Sequence, residues 1–131
     1  MSIGKKSFNN QLITTVIGEE SEIKGSIHTQ RSIRIEGKFE GEINSQGEVV
    51  IGQTSKVKAN IIGKSVIVSG EVIGNIEAIS GLEIKKTGRV YGNISGDRLV
   101  IEEGAIYKGK VNMDVISSKN LYEGNFEVIN S

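Results

Sequence analysis

The chain has 131 residues, with 16 basic and 16 acidic side chains for a net charge of zero, 17 glycines, and neither proline nor cysteine. That length fits one domain, the balanced charge offers no broad basic face to nucleic acid, and the missing cysteines exclude a disulfide framework or a thiolate metal site. The first residues lack the apolar run of a signal peptide, and no stretch approaches the roughly 20 apolar residues of a membrane span, so a cytoplasmic protein is expected.

Residues 1–14 read as a tail outside any pattern, with Ile3, Lys5, Lys6 and Phe8 close together. From Thr15 a short unit recurs: an apolar residue, any residue, Gly, any residue, and an apolar residue again. The copies are Ile23 to Ile27, Phe39 to Ile43, Val57 to Ile61 (with Ala59 in place of glycine), Val72 to Ile76, Val90 to Ile94 and Tyr107 to Val111. A fixed period near ~17 residues is the mark of a solenoid. Stacking the copies aligns four apolar columns. The first reads Ile17, Ile35, Ile51, Val68, Ile84, Ile101, and the second Ile23, Phe39, Val57, Val72, Val90, Tyr107. The third reads Ile27, Ile43, Ile61, Ile76, Ile94, Val111, and the fourth Ile33, Val49, Val66, Leu82, Leu99.

From the first to the second column the gaps are 6 or 4 residues, the next gap is always 4, and the return is 7 or 8. The even gaps keep apolar residues on one side of a pleated strand, whereas a helix needs gaps of 3 and 4 in alternation. The columns are rich in Ile and Val, which favour strands, and the absence of proline suits central paired strands. A coil of that length has a contour of roughly 55 Å, enough for three short strands and three bends, and coils ~4.8 Å apart give a rod roughly 30 Å long. The fold expected is an all-β, single-domain parallel β-helix of about six to seven coils with flexible termini, whose handedness the spacings leave open. Its end coils expose unpaired backbone and apolar discs, so end-to-end self-association is expected.

After Met113 the period weakens, but Tyr122 to Phe126 repeats the unit, with Ile116 as the matching column residue ahead of it. Residues 114–131 are read either as a terminal coil or as a C-terminal flap. In the first case Tyr122 and Phe126 pair with the same end of a neighbour, leaving Val16, Ile17 and Ile23 for the opposite junction.

Enzyme chemistry finds no constellation here, and no cofactor or metal is expected. His28 is the only histidine and follows a column residue, so it is expected on the surface. Asp97 and Asp114 are the only aspartates, too few for a calcium cluster. Gly63-Lys64-Ser65 and the stretch Gly104 to Lys110 imitate parts of a phosphate-binding loop, but neither completes it and no helix follows. Glu102 and Glu103 read as a solvated corner.

The stretches Thr15 to Glu19, Ile35 to Gly41, Val66 to Gly74 and Leu99 to Gly109, in that order and spacing, resemble the bactofilins, a family of bacterial cytoskeletal proteins. The resemblance covers 15–113, the expected β-helix core. It implies a right-handed, three-sided β-helix that polymerises end to end, without nucleotide, into non-polar filaments. These would scaffold membrane-proximal cell-shape or cell-wall machinery. It also implies that residues 1–14 form a membrane-binding segment through Ile3, Lys5, Lys6 and Phe8. The expected partners are further copies of the chain, the cytoplasmic face of the inner membrane, and cell-wall synthesis or remodelling proteins. Ala59 and a C-terminal tail without proline depart from the family pattern. A β-helical binding or acyltransferase-like module that self-associates as a discrete oligomer remains the alternative.

Overall fold

The computed structural model describes residues 15–118 and 127–128, and these form strands, bends and turns without a helix. In chain order the strands are β1 (Thr15–Ile17), β2 (Glu22–Thr29), β3 (Ile33–Ile35), β4 (Lys38–Ser45), β5 (Glu48–Ile51) and β6 (Lys56–Val68). They continue with β7 (Glu71–Ile73), β8 (Ile76–Ile84), β9 (Arg89–Tyr91), β10 (Ile94–Ile101), β11 (Ile106–Lys108), β12 (Lys110–Ser118) and β13 (Glu127–Val128). Every pairing among them is parallel and joins one position of a coil to the equivalent position of the next. The chain is therefore a parallel β-solenoid of about six coils.

The apolar columns are its register. Ile17 pairs with Ile35, Ile35 with Ile51, Ile51 with Val68, Val68 with Ile84, and Ile84 with Ile101. The second and third columns pair in the same manner, from Ile23 to Tyr107 and from Ile27 to Val111. From the second coil to the sixth all four columns are buried, and together with Ala59, Ala78 and Ala105 they fill the interior as one cluster. Among the described residues, like side chains stacked at the strand spacing fill this interior.

The varying gap between the first two columns has a simple origin. Each coil with a gap of 6 carries a β-turn at that corner, closed by Ser21 N–H to Gly18 O (3.0 Å), Ser55 N–H to Gly52 O (3.1 Å), Gly88 N–H to Lys85 O (2.8 Å) or Ala105 N–H to Glu102 O (3.1 Å). The coils with a gap of 4 pass the same corner with only a bend, at Gly37 and Gly70. Turn hydroxyls bridge the mismatch. Thr54 Oγ1 donates to Glu36 O at 2.8 Å, and Thr87 Oγ1 to Ser69 O at 2.7 Å, each supplying a carbonyl of a short coil from the longer coil that follows it.

The repeated glycine makes the second corner. Gly41, Gly74, Gly92 and Gly109 have φ between 140° and 149°, and a side chain on any of them would drive into the backbone carbonyl of the preceding coil. Ala59, at the equivalent position on β6, is 5% exposed and belongs to the core cluster. Asn side chains tie the corner together: Asn60 Oδ1 accepts from Asn75 N–H, Asn75 Oδ1 from Asn93 N–H, and Asn93 Oδ1 from Lys110 N–H, at 3.1–3.3 Å.

The last coil differs from expectation in register. Ile116 pairs with Leu99 and so extends the fourth column, while Ser118 stands opposite Ile101 in the first. The gap of 6 from Ile116 to Tyr122 suits the first column, but Ile116 lies 5 residues after Val111, the spacing of the fourth column, and the return gap of 7 falls on Ser118. β13 pairs back on β12 with Val128 opposite Val111, which places Val128 in the row of the third column.

Two outcomes follow for stability. Gly92→Ala forces a methyl against Gly74 O and should lower the unfolding free energy by about 2–4 kcal/mol in a urea titration. Tyr107 is fully buried, and its hydroxyl shares one proton between Gly92 O (2.6 Å) and Lys110 O (2.7 Å). Burial pushes its pKa well above that of an ordinary phenol. The unfolded chain therefore releases this proton first, and stability present below about pH 10 falls as pH rises beyond it. Tyr107→Phe should cost about 1–2 kcal/mol at neutral pH and flatten that alkaline loss, read from urea midpoints between pH 8 and 11.

Candidate functional site

The two ends of the solenoid are not equivalent. At the first coil β2 pairs only with β4, and β1 only with β3, so among the described residues the outer edge of the eight-residue strand β2 has no strand partner. Such an edge is a template for pairing with another chain. Behind it lie Ile23 and Ile27, half-buried, whereas the next members of their columns, Phe39 and Ile43, are 2% and 1% exposed. The difference is that no described strand stacks before Ile23 and Ile27. Gly25 marks the same vacancy in the stack: a side chain placed there meets nothing within 4 Å, while one on Gly41 would strike Gly25 O.

At the sixth coil the columns are closed. Ile101, Tyr107 and Val111 are buried, with β12 beyond Ile101 and β13 beyond Val111, while among the described residues β11, which carries Tyr107, pairs only with β9. The expected self-association residues thus fall in different places. Ile23 faces the open end, Ile17 is buried in the core at 5% exposure, and Val16 points outward on the side of the rod at 52%. Ile27 and Gly25 belong to the open end and were missed. Reading Ile27 as the first member of its column, with nothing stacked before it, was the available signal. Ile3, Lys5, Lys6, Phe8, Tyr122 and Phe126 lie outside the described residues.

The side chains that imitate catalytic or phosphate sites have structural places. His28 is exposed on β2. Gly63-Lys64-Ser65 runs through the middle of β6, and Gly104 closes a turn that leads directly into β11. Glu102 accepts a hydrogen bond from Lys86 N–H at 3.0 Å and lies 3.6 Å from Lys85 Nζ. Lys85 is held in its charged form chiefly by its 2.8 Å contact with Glu83 and secondarily by Glu102, which raise its pKa. Among the described residues no group of three or more His, Cys, Asp or Glu is placed to hold a metal. A surface groove of about 490 Å³ follows the asparagine row, but the Oδ1 atoms of Asn60, Asn75 and Asn93 already accept backbone hydrogen bonds. What this arrangement offers chemically is a strand edge to which further strands can add.

Comparison with known proteins points the same way. Residues 15–112 match the family Bactofilin, described as polymer-forming cytoskeletal. Bactofilin BacP of Myxococcus xanthus (strain DK1622) is 34% identical over 107 residues, which are 82% of this chain and 45% of BacP. Bactofilin BacO of the same organism is 35% identical over 104 residues, 79% of this chain and 82% of BacO. Among solved structures, a cryo-EM reconstruction of Thermus thermophilus bactofilin double helical filaments superposes with a TM-score of 0.72 at 28% identity, covering 76% of this chain and 98% of that one.

Proposed function

The chain belongs to the bactofilin family of polymer-forming cytoskeletal proteins, and from that premise we propose that it joins further copies end to end, without nucleotide, into a non-polar filament. By family it is a structural protein and not an enzyme. The observation that carries the proposal is the open first coil: an unpaired eight-residue edge, two half-buried isoleucines and an empty space over Gly25. A second copy docked there supplies backbone partners and covers the apolar disc in one step. If first coils meet each other, the junction is two-fold, and alternating it with a junction between the opposite ends yields a filament without direction. Tyr122 and Phe126 are the proposed residues of that second junction.

The filament is proposed to lie at the cytoplasmic face of the inner membrane and to scaffold cell-shape or cell-wall synthesis and remodelling proteins. Ile3, Lys5, Lys6 and Phe8 are the proposed anchor. Each lysine near an anionic surface contributes only ~1 kcal/mol, so one tail binds weakly, but a filament displays many tails at once and gains by avidity.

Negative-stain microscopy of the purified protein without nucleotide should show filaments, and a discrete trimer in their place would overturn the reading. Ile27→Lys sets a charge at the open end, where a long side chain still reaches solvent in the free subunit. It should keep the β-sheet circular dichroism spectrum and raise the protein concentration needed to pellet polymer at least ~10-fold. Filaments should co-pellet with anionic lipid vesicles, and deletion of residues 1–14 should remove most of that binding while leaving polymer intact. Equal pelleting of both proteins would exclude the tail as the anchor.

A further inference from the structure

The side of the rod formed by β1, β3, β5 and the C-terminal parts of β6, β8 and β10 carries an unusual outward row. Over six coils register places Val16, Arg34, Val50, Ile67, Glu83 and Val100 in line, one per coil, and the row continues past them to Ser117 on β12. Four of the six are apolar, although their strand neighbours on either side are the inward first and fourth columns and pleating turns this row away from the core. The outward row on the next face runs Lys24, Glu40, Lys58, Ile73, Tyr91 and Lys108, charged at four positions where the first row is charged at two. Arg34 is exposed, and Val50, Ile67, Glu83 and Val100 are half-buried.

Over these six coils the order is self-complementary, with Ser117 left beyond the overlap: reversed, Val16 matches Val100, Arg34 matches Glu83, and Val50 matches Ile67. The next outward positions along the strands behave likewise, since Glu36 lies beside Arg34 on the second coil and Lys85 beside Glu83 on the fifth. We propose that this face packs against the same face of a second copy of the chain, the two solenoids running antiparallel about a two-fold axis parallel to the strands. Each Arg34 then meets the partner copy's carboxylate at position 83, each Glu36 meets an ammonium at position 85, and the ion pairs already present within a copy stack head to tail. Val50 and Ile67 close the dry centre between two such clusters.

Charge selects this orientation. A two-fold along the rod axis also brings the faces together, but it sets Arg34 against Arg34 and Glu83 against Glu83, which like-charge repulsion disfavours. In the antiparallel pair Glu48 meets Ser65 and Ser32 meets Gly81, so no like charges oppose each other over the flat of the face. The acidic turns at 18–21 and 102–105 meet only at the corner, the rim of the contact, where water and salt screen them. This contact is lateral and goes beyond end-to-end polymerisation, from which it is separately testable.

Arg34→Glu leaves only acidic groups at positions 34 and 83, and Glu83→Arg leaves only basic ones, so neither variant pairs with itself. Mixed together they match at both places. Filaments of the wild type should appear two strands wide by electron microscopy, and those of each single variant one strand wide. Combining preassembled R34E and E83R filaments should restore double strands. Each substitution counts twice across the two-fold, so lateral association should weaken at least ~10-fold in either variant alone. Double strands in R34E alone, or single strands in the mixture, would overturn the face, whereas absence of any wild-type filament would overturn only the polymer. In that last event sedimentation decides the face: a wild-type dimer, monomeric single variants and a dimer in the mixture support it, and any other distribution rejects it.

Discussion

Everything in this molecule depends on the parallel ladder between successive coils. A strand in such a stack can satisfy its backbone groups only if the coil before and the coil after present the same row at the same height. That condition explains the in-register columns from Ile17 to Ile101 and from Ile27 to Val111. It also explains why the glycine corner tolerates no side chain where the backbone of one coil sits against the carbonyl of the coil before, as at Gly92 over Gly74. Length variation is admitted only where it does not disturb the ladder, as a closed β-turn pushed out at one corner. The threonine hydroxyls over Glu36 and Ser69 repair the carbonyls that such an insertion leaves behind.

The fold was legible because the ladder repeats chemistry as well as geometry. Inward positions must be apolar in every coil, so the four columns stand out from the sequence without any knowledge of pairing. What was not legible lies where that repetition stops. The 6-or-4 gap revealed that one corner varies but not that a turn fills it, since glycine comes first in the turns 18–21 and 52–55, third in 102–105 and fourth in 85–88. At the C-terminus, Ile116 offered two columns at acceptable spacing, and only the unbroken run of β12 assigns it to Leu99. At the first coil, Val16 and Ile17 are adjacent and both apolar, yet strand alternation sends one to the side of the rod and the other into the core. Sequence proximity to an end is therefore a poor guide to which side chains face it.

The ladder also divides the surface into two kinds of interface. An end offers backbone hydrogen bonds, which are strong in number but the same for any strand, together with the shape of one apolar disc. Alone, such an end would accept any exposed edge in the cell. The half-buried pair Ile23 and Ile27, set around the open space at Gly25, narrows the choice to a partner with a matching coil.

The sides, by contrast, are where side chains vary freely, because outward positions carry no packing constraint from within. Selectivity in a solenoid must then be written along the outward rows, one residue per coil, and read by a partner whose spacing is the same ~4.8 Å. Every β-sheet has that spacing, but a second copy also carries the same row, and an antiparallel one reads it in reverse. A row whose charges change sign between its second and fifth coils, as at Arg34 and Glu83, is complementary to its own reversal and repels its own direct copy. The same repetition that forces the core to be uniform thus lets a few outward substitutions fix both the partner and its direction.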